Sequence, residues 1–394
     1  MKHANAIANF RQLCCLGLDA QVVMPSVLST LHELIGSDTN SFYWATTTGD
    51  LCNVYFEQPM PKNIAAVYFS EFLNNPAQPY SPLQMRKYLR GGAVVGNSLR
   101  LFEKTFYNSD LYNLIWRPLH RRQLLWARVR DTQNRANGLA LSRVDGDPDF
   151  TERDEQLLAQ LVPYVAHALD APGNHEEEFV DSNERGLMIL DARGRIHHQS
   201  SEARRLMLLA AYEKIAPDSV DWQRDVVLPA ALKQLCEKFG AVFSGRATCP
   251  PTLQHHNAWG KFVFRAYPLE DVEPGSHSLI GVNIERHVPL SLALMQTLPA
   301  FPISAKQKEV CLLLARGYSQ RKIADSLGVS PHTVTDHMRK IYDKLDVHSH
   351  TELLRTLKRG RAQCGAADTR YSALKNAIRS DFSASLSPIL KRVL

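Results

Sequence analysis

Hydrophobic positions in the first part of the chain change from helical to alternating spacing. Leucines recur at helical spacing over residues 28–34, which predicts an opening helix, and the alternating runs that follow predict strands. The predicted strands cover residues 41–44, a run that ends at Tyr55, residues 124–130 and residues 138–142. Thr151 and Asp154 have the spacing of a helix-capping pair, which predicts a long amphipathic helix as far as Leu169. This order predicts a mixed α/β region.

A second mixed region is predicted after a break in composition. Residues 171–174 read Ala-Pro-Gly-Asn and an acidic run follows at residues 176–178, which is typical of a linker. Beyond it the pattern predicts a strand, a tight turn, a returning strand, a helix that begins at Ser200 and two later strands. The predicted strands and turn lie at residues 187–190, 191–194, 195–198, 261–267 and 278–284.

The last quarter of the chain has helical spacing throughout. Serines precede three amphipathic runs and are predicted N-caps, and glycines are predicted to end the first two helices. The serines are Ser304, Ser319 and Ser330, and the glycines are Gly317 and Gly328. Pro331 stands at the helical position that tolerates proline, and a fourth helix is predicted from Thr351.

Two short helices joined by a glycine turn, with a polar and basic outer face on the second helix, are typical of a helix-turn-helix. The predicted outward residues of that second helix are Thr333, Thr335, Asp336, Arg339, Lys340 and Lys344. Such a helix can enter the major groove of DNA, where its capped N-terminus and its basic side chains face phosphate.

The distribution of charge supports a nucleic-acid partner. The chain carries 46 basic and 40 acidic residues, a net charge of +6. From Phe301 onward there are 17 Lys and Arg residues against 8 Asp and Glu residues, which leaves 29 against 32 in the rest of the chain. The basic excess therefore lies in the last quarter, as expected when a polyanion-binding module follows a neutral one.

The C-terminal segment resembles the LuxR-type DNA-binding domain over its whole length. The matching positions are Glu309, Val310, Gly317, Ser319, Ile323, Ala324, Leu327, Ser330, Thr333, Val334, His337, Ile341, Lys344, Leu345 and Val347. The resemblance implies that the partner is double-stranded DNA. The DNA-binding residues that it implies are Ser319, Lys322, Ser330, Thr333, Thr335, Asp336, Arg339, Lys340 and Lys344.

Base reading is expected at Thr335, Asp336 and Arg339, because the family reads bases just after the Thr-Val pair and one turn later. The family often has lysine directly after that pair, where this chain has Thr335 and then the acidic Asp336. A carboxylate near DNA either accepts from a cytosine amino group or points away from the phosphates. The DNA sequence that is read therefore does not transfer from relatives.

Two apolar surfaces are candidates for pairing two copies of the chain. In the LuxR-type family the fourth helix commonly pairs two domains on a two-fold DNA site, and Leu353, Leu354 and Leu357 would supply that contact. The same leucines can instead close the core of their own domain. The helix after Thr151 likewise either pairs in a dimer or packs within the chain. A homodimer is the expected assembly.

The N-terminal part resembles two sensor folds. The order of elements over residues 20–170, with Phe-Thr-Glu-Arg-Asp before the last helix, is similar to a GAF-type domain, and residues 180–285 resemble the opening of a PAS domain. The expected fold is α+β multidomain, with GAF-like and PAS-like α/β sensor domains followed by an all-α four-helix LuxR-type helix-turn-helix domain. The expected boundaries are 1–170 for the GAF-like domain, 171–179 for a linker, 180–285 for the PAS-like domain, 286–300 for a second linker, 301–360 for the helix-turn-helix domain and 361–394 for a C-terminal extension.

Aromatic residues are concentrated in the GAF-like region, where 16 of the 33 lie between Ser41 and Trp126. A surplus of Tyr and Trp suits a pocket for a small ring-bearing or acyl ligand. A plain aromatic core with a dimer face is an equally weighted alternative. The candidate ligand-binding residues are Tyr43, Trp44, Tyr55, Trp116, Arg117, His120 and Trp126, with Arg117 as the expected partner of an anionic ligand.

Other classes of function lack their signatures. The sequence contains no P-loop, dinucleotide-binding, serine-hydrolase or zinc-protease motif, so no enzyme activity, catalytic residue or cofactor is expected. Asp191 follows a strand-like run but lacks the acidic pair and the lysine of a phosphorylated receiver domain. The Trp, Tyr and Asp pattern of acyl-homoserine-lactone receptors is not traceable. Seven scattered cysteines without a CxxC pair predict reduced thiols, and no metal site is expected.

These patterns predict a dimeric one-component transcription regulator in which a small-molecule signal, sensed in the N-terminal half, controls the C-terminal helix-turn-helix. RNA polymerase is a further candidate partner. The alternative is a ligand-independent DNA-binding regulator whose N-terminal domains only dimerise or bind a protein partner. Neither a signal peptide nor a membrane-spanning segment is evident, so a cytoplasmic location without membrane contact is expected.

Overall fold

The protein is described from a computed structural model. It describes residues 2–85, 93–102, 104–173, 178–191, 194–220, 251–269 and 279–357. The chain forms two compact units, Met1–Pro289 and Leu290–Leu394.

The N-terminal part of the first unit contains an antiparallel five-stranded sheet. Its strands are β1 (Thr39–Ala45), β2 (Leu51–Phe56), β3 (Val95–Asn97), β4 (Arg121–Arg130) and β5 (Ala136–Val144). They lie in the order β2-β1-β5-β4-β3, and β1 and β4 are the two neighbours of the central strand β5. The four strands expected from alternating hydrophobicity are therefore confirmed, and β3 is a short addition at one edge.

Helices accompany this sheet. They are α1 (Lys2–Cys14), α2 (Ala20–Ile35), α3 (Lys62–Val67), α4 (Ser98–Leu101) and α5 (Glu152–Leu169), with single π-helical or 3-10 turns between residues 68 and 119. Thr151 and Asp154 form the expected capping box at the start of α5. Leu158, Leu161 and Val165 of α5 are buried within the chain, beside β4 and α2. Intramolecular packing therefore accounts for the apolar face of this helix.

A second antiparallel five-stranded sheet follows in the same unit. Its strands are β6 (Phe179–Asp191), β7 (Ile196–Gln199), β8 (Thr252–Asn257), β9 (Gly260–Leu269) and β10 (Leu279–Pro289). The order is β7-β6-β10-β9-β8, so the second sheet repeats the strand order of the first. Helix α6 (Ser201–Ala211) follows β7 and is capped by Ser200, as the sequence predicts.

Buried charges join the two sheets of the first unit. The Glu184 carboxylate accepts from Arg205 at 2.6 Å and from Arg286 at 2.9 Å. Arg205 also donates to the Tyr55 hydroxyl at 2.8 Å, and Arg286 donates to the Val22 carbonyl at 3.0 Å. Burial raises the pKa of Glu184, but Arg286 and Arg205 outweigh it and hold this pKa well below its ordinary value. We name Glu184, Arg205 and Arg286 the inter-sheet ion network.

The second unit is helical. Its helices are α7 (Leu290–Thr297), α8 (Ala305–Ala315), α9 (Gln320–Leu327), α10 (Pro331–Leu345) and α11 (residues 350–357). The four helices expected from residue 304 onward are present with their predicted caps at Ser304, Ser319 and Ser330. Val310, Ile323, Val334 and Ile341 are each completely buried and form part of the core.

The second expected linker, residues 286–300, differs in the structure. Strand β10 continues to Pro289, and α7 occupies residues 290–297. The extension 361–394 lies outside the described residues, as do Cys236, Cys249 and Cys364. Cys14, Cys15, Cys52 and Cys311 are free thiols. In the described ranges there is no helix long and apolar enough to cross a membrane and no group of His, Cys, Asp and Glu residues arranged to hold a metal ion.

Candidate nucleic-acid interface and ligand cavity

The turn between α9 and α10 is built by its capping residues. Gly328 has φ of 63°, the left-handed conformation that glycine adopts without a Cβ clash, and it ends α9. The Val329 amide then donates back to the Ala324 carbonyl at 3.0 Å. The next residue is Ser330, whose hydroxyl accepts from the Thr333 amide at 3.1 Å and caps the start of α10. These contacts fix the angle at which α10 leaves the turn.

Polar side chains cover the outer face of α9 and α10. Of the expected DNA-binding residues, Thr333 and Asp336 are half-buried and the others are exposed, namely Ser319, Lys322, Ser330, Thr335, Arg339, Lys340 and Lys344. The Thr335 hydroxyl donates to the Pro331 carbonyl at 3.1 Å and lies 3.4 Å from the Gln320 side-chain oxygen, so the start of α9 and the first turns of α10 share one polar surface.

Asp336 belongs to a local charge cluster on this surface. Its carboxylate lies 3.9 Å from the Arg339 guanidinium and 3.8 Å from the His332 ring nitrogen, and all three groups are on α10. The Arg339 side chain keeps 73% of its surface exposed. Asp336 can therefore orient Arg339 while the guanidinium stays available to a base edge.

The three lysines of the expected set have different surroundings. Lys344 donates to the Gln307 side chain at 3.1 Å, and that side chain also accepts from the Ser304 amide, so Lys344 contributes to the cap of α8. Lys322 lies 3.9 Å above the Tyr318 ring. Lys340 is exposed and makes no ion pair within the described part of the chain. Lys340 is thus the lysine of α10 that is most available to phosphate.

The leucines expected to pair two domains lie on α11. Leu353 and Leu357 are completely buried within a single chain, whereas Leu354 is half-buried. Leu353 and Leu357 therefore close the core of their own unit, and Leu354 alone of the three retains surface for a second copy.

A cavity of about 30 Å³ lies on one face of the first sheet. Three of the seven candidate ligand residues line it, Tyr43, Trp116 and Trp126. The remaining lining residues are Ser41, Tyr68, Tyr80, Pro82, Met85, Leu111, Ile115, Arg121, Leu124 and Ala140. The sheet supplies the floor, and the segment between β2 and β4 supplies the wall.

The other four candidates lie elsewhere. Trp44 is half-buried and Tyr55 is buried on the opposite face of the sheet, with ring centroids 5.7 and 5.8 Å from that of Trp259. Alternation along β1 explains this, because Tyr43 and Trp44 must point to opposite faces. Arg117 and His120 are exposed and are not among the cavity-lining residues.

The basic residue that lines the cavity is Arg121, whereas the sequence predicted Arg117. Strict alternation along β4 would put Arg121 on the face opposite Leu124 and Trp126. The register between β4 and β5 shifts between Arg121 and Gln123, and this bulge inserts one residue. The insertion turns Arg121 onto the cavity face together with Leu124 and Trp126.

Hydroxyl and indole groups give the cavity its polar character. Tyr68 donates to the Tyr43 hydroxyl at 3.1 Å, and Ser41 donates to the same oxygen at 3.5 Å. Burial, with the Tyr43 hydroxyl next to it, raises the pKa of Tyr68 well above its ordinary value. The Trp126 Nε1 atom is buried and has no hydrogen-bond partner among the residues that the structure describes.

Trp126 keeps its position because β5 has glycine at residue 138. A Cβ atom at Gly138 would lie 2.3 Å from the Trp126 ring, so Gly138→Ala is expected to lower the free energy of unfolding by about 1–3 kcal/mol through overpacking. Urea unfolding followed by tryptophan fluorescence measures this loss. Combining Gly138→Ala with Trp126→Leu removes the clash, so the double variant should be more stable than the sum of the two single losses predicts. Strictly additive losses would contradict this packing.

Comparison with known proteins identifies the C-terminal segment. Residues 302–357 match the family model described as bacterial regulatory proteins, luxR family. This match and the helix-turn-helix geometry define the class, a DNA-binding regulator with a luxR-family domain at its C-terminus. No curated protein sequence gives a significant match to the chain.

Solved structures show only distant likeness. The VqmA dimer of Vibrio cholerae in the absence of target DNA has 18% identity over 45% of this chain and 83% of its own, with a TM-score of 0.17. The phage VqmA–DPO complex gives the same identity, coverage and TM-score. The Escherichia coli DhaR(N)–DhaL complex has 12% identity over 71% of this chain and 88% of its own, with a TM-score of 0.23. These scores are too low to relate the overall folds.

Proposed function

We propose that the protein is a dimeric, sequence-specific transcription regulator in which a small molecule bound at the first sheet controls DNA binding by the second unit. The observation that carries the proposal is the exposed polar face of α10, which lies within the segment matched to the luxR family. The cavity on the first sheet supports the sensing part. The common strand order of the two sheets supports assigning the first sheet to a GAF-like domain and the second to a PAS-like domain.

The N-terminal half of α10 is the part that would enter the major groove. Amide groups near Ser330 and the positive end of the helix dipole favour a phosphate there. Arg339 would donate to a base edge and Lys340 would contact the DNA backbone. Asp336 would hold Arg339 in position and disfavour bases that bring an acceptor next to the carboxylate.

The cavity can influence the rest of the first unit through β1. Tyr43 lines the cavity, and Trp44, the next residue, contacts Trp259 in the turn between β8 and β9 of the second sheet. In β2, the Val54 amide donates to the Ile215 carbonyl at 3.0 Å. A ligand that shifts Tyr43 would therefore alter contacts with the second sheet, whose last strand leads directly into α7. The ligand acts by preferring one arrangement of the protein over another.

The alternative, a regulator whose first unit only dimerises or binds a protein, is favoured by one observation. A cavity of about 30 Å³ has room for little more than water. Native mass spectrometry of the full-length protein separates the two functions. The proposed function predicts a dimer that carries extra bound mass, and a dimer of unmodified mass would favour the alternative. A monomer would contradict a standing dimer.

Selection from a random duplex DNA library tests DNA recognition by the full-length protein. One enriched sequence motif is expected, with two related half-sites if the protein binds as a dimer. If the selection enriched no sequence, the second unit would be a non-specific polyanion binder.

Lys340→Ala should weaken binding to all DNA sequences to a similar extent, because a phosphate contact carries no sequence information. The slope of log affinity against log salt should fall by about one unit. The matched control is Lys306→Ala on α8, where the lysine is paired with Glu309 at 2.8 Å. A changed sequence preference in Lys340→Ala would place this lysine at a base instead.

A further inference from the structure

We propose that the cavity on the first sheet binds a small aromatic carboxylate, with the Arg121 guanidinium as the partner of the carboxylate and Trp126 Nε1 as a second donor. This inference deepens the proposed function and rests on it for the regulatory meaning of binding.

Arg121 is a positive charge for which the described part of the chain supplies no counter-charge. Its side chain makes no hydrogen bond or ion pair with any described residue, and no Asp or Glu is among the residues that line the cavity. Burial lowers the pKa of Arg121, and the nearby Tyr43 and Tyr68 raise it, but a guanidinium stays protonated in any case. A partly desolvated charge of this kind is stabilised most by an anion.

The other unsatisfied groups of the cavity are donors as well. Trp126 Nε1 is buried, and no described residue supplies it with an acceptor. Tyr43 accepts from both Tyr68 and Ser41, which leaves its own proton to be donated. A ligand that satisfies these groups must bring acceptor oxygens rather than donors. A carboxylate brings two oxygens and the negative charge that Arg121 lacks.

The remaining wall suits a flat apolar body. The rings of Tyr68, Tyr80 and Trp116 line the cavity, together with Leu111 and Ile115. Aromatic rings pack favourably against such walls. These features point to an aromatic carboxylate rather than an inorganic anion such as phosphate.

A ring needs more room than the cavity offers, since a void of about 150 Å³ accommodates benzene. Two residues of the wall can yield. Met85 has a flexible side chain that adapts to new shapes. Tyr80 has φ of 65°, a strained conformation for a residue with a Cβ, so moving it outward releases strain. Binding would then displace this wall, and that displacement can serve as the signal.

Isothermal titration of the full-length protein with benzoate and with benzamide tests the proposal. The two compounds have nearly the same shape, and only benzoate carries a charge. We expect benzoate to bind at least tenfold more tightly than benzamide to the unaltered protein. Arg121→Met should weaken benzoate binding at least tenfold. Arg121→Lys keeps the positive charge, so it should bind benzoate more tightly than Arg121→Met does. The matched control is Arg122→Met, the next residue of β4, which pairs with Asp149 and does not line the cavity.

Three results would overturn the proposal: no benzoate binding, equal affinity for benzoate and benzamide, or Arg121→Met binding benzoate as the unaltered protein does. The comparison of the two compounds needs no variant, so it stands even if Arg121→Met does not fold. Binding of the selected DNA motif without benzoate, measured on the same preparation, reports separately on the proposed function. Benzoate binding without sequence-specific DNA binding would overturn the proposed function and leave the anion site standing.

Discussion

Glu184→Gln is expected to lower the free energy of unfolding of the first unit by about 3 kcal/mol, because it leaves two guanidinium groups buried without their shared carboxylate. Arg286 has only 1% of its side-chain surface exposed and Arg205 has 8%, so water cannot replace the lost charge. All five tryptophans of the chain lie before residue 290, so urea unfolding followed by tryptophan fluorescence reports on this unit.

The matched control is Glu202→Gln. Glu202 also pairs with Arg205, but its side chain is 38% exposed and does not reach Arg286. The expected loss is below about 1 kcal/mol. Equal decreases in the free energy of unfolding in the two variants would contradict the conclusion that the inter-sheet ion network connects the two sheets.

The effect of Glu184→Gln should depend on pH. Arg286 and Arg205 hold the pKa of Glu184 well below 4.5, its ordinary value. A carboxylate with a depressed pKa stabilises the fold fully above its ordinary pKa, and this stabilisation is lost as the pH falls through the folded-state value. The difference between the unaltered protein and Glu184→Gln should therefore be constant near neutral pH and shrink below pH 4.5. A difference that stayed constant on acidification would contradict the ion-pair assignment.

Arg339→Ala is expected to weaken binding to the selected DNA motif by about 1–3 kcal/mol and to reduce discrimination at one base pair, because a bidentate contact to guanine has that value. Competition binding against a set of single-base variants of the motif measures both effects. The matched control is Arg321→Ala on α9, also exposed, which should change affinity without changing base preference. Unaltered base preference in Arg339→Ala would contradict base reading by this residue.

The helical second unit was largely predictable because its signals are local. Ser304, Ser319 and Ser330 cap the helices that follow them, and Gly328 ends α9 in the left-handed conformation that its sequence context predicts. The capping box of Thr151 and Asp154 has the same local character. What the sequence left open was how helices pack against one another, and burial of Leu353 and Leu357 assigns them to their own core.

The cavity was only partly predictable because it depends on a β-bulge and on long-range packing. The aromatic surplus indicated the correct region, but period-two alternation divides Tyr43 from Trp44, and the bulge in β4 moves Arg121 to the cavity face. The only sequence signal for Arg121 was that a basic residue stands next to a predicted strand whose hydrophobic spacing is irregular. The inter-sheet ion network joins Glu184 to Arg286, which is 102 residues away, and no local pattern predicts that pair.

In the proposed function, the state of the cavity sets the affinity of the second unit for DNA. The most direct measurement is a titration of the full-length protein on its selected DNA motif, with and without benzoate at a concentration that saturates the cavity. We expect the dissociation constant for DNA to change at least fivefold, which corresponds to a coupling free energy of about 1 kcal/mol or more. An unchanged dissociation constant, with benzoate bound, would contradict control of DNA binding by the cavity.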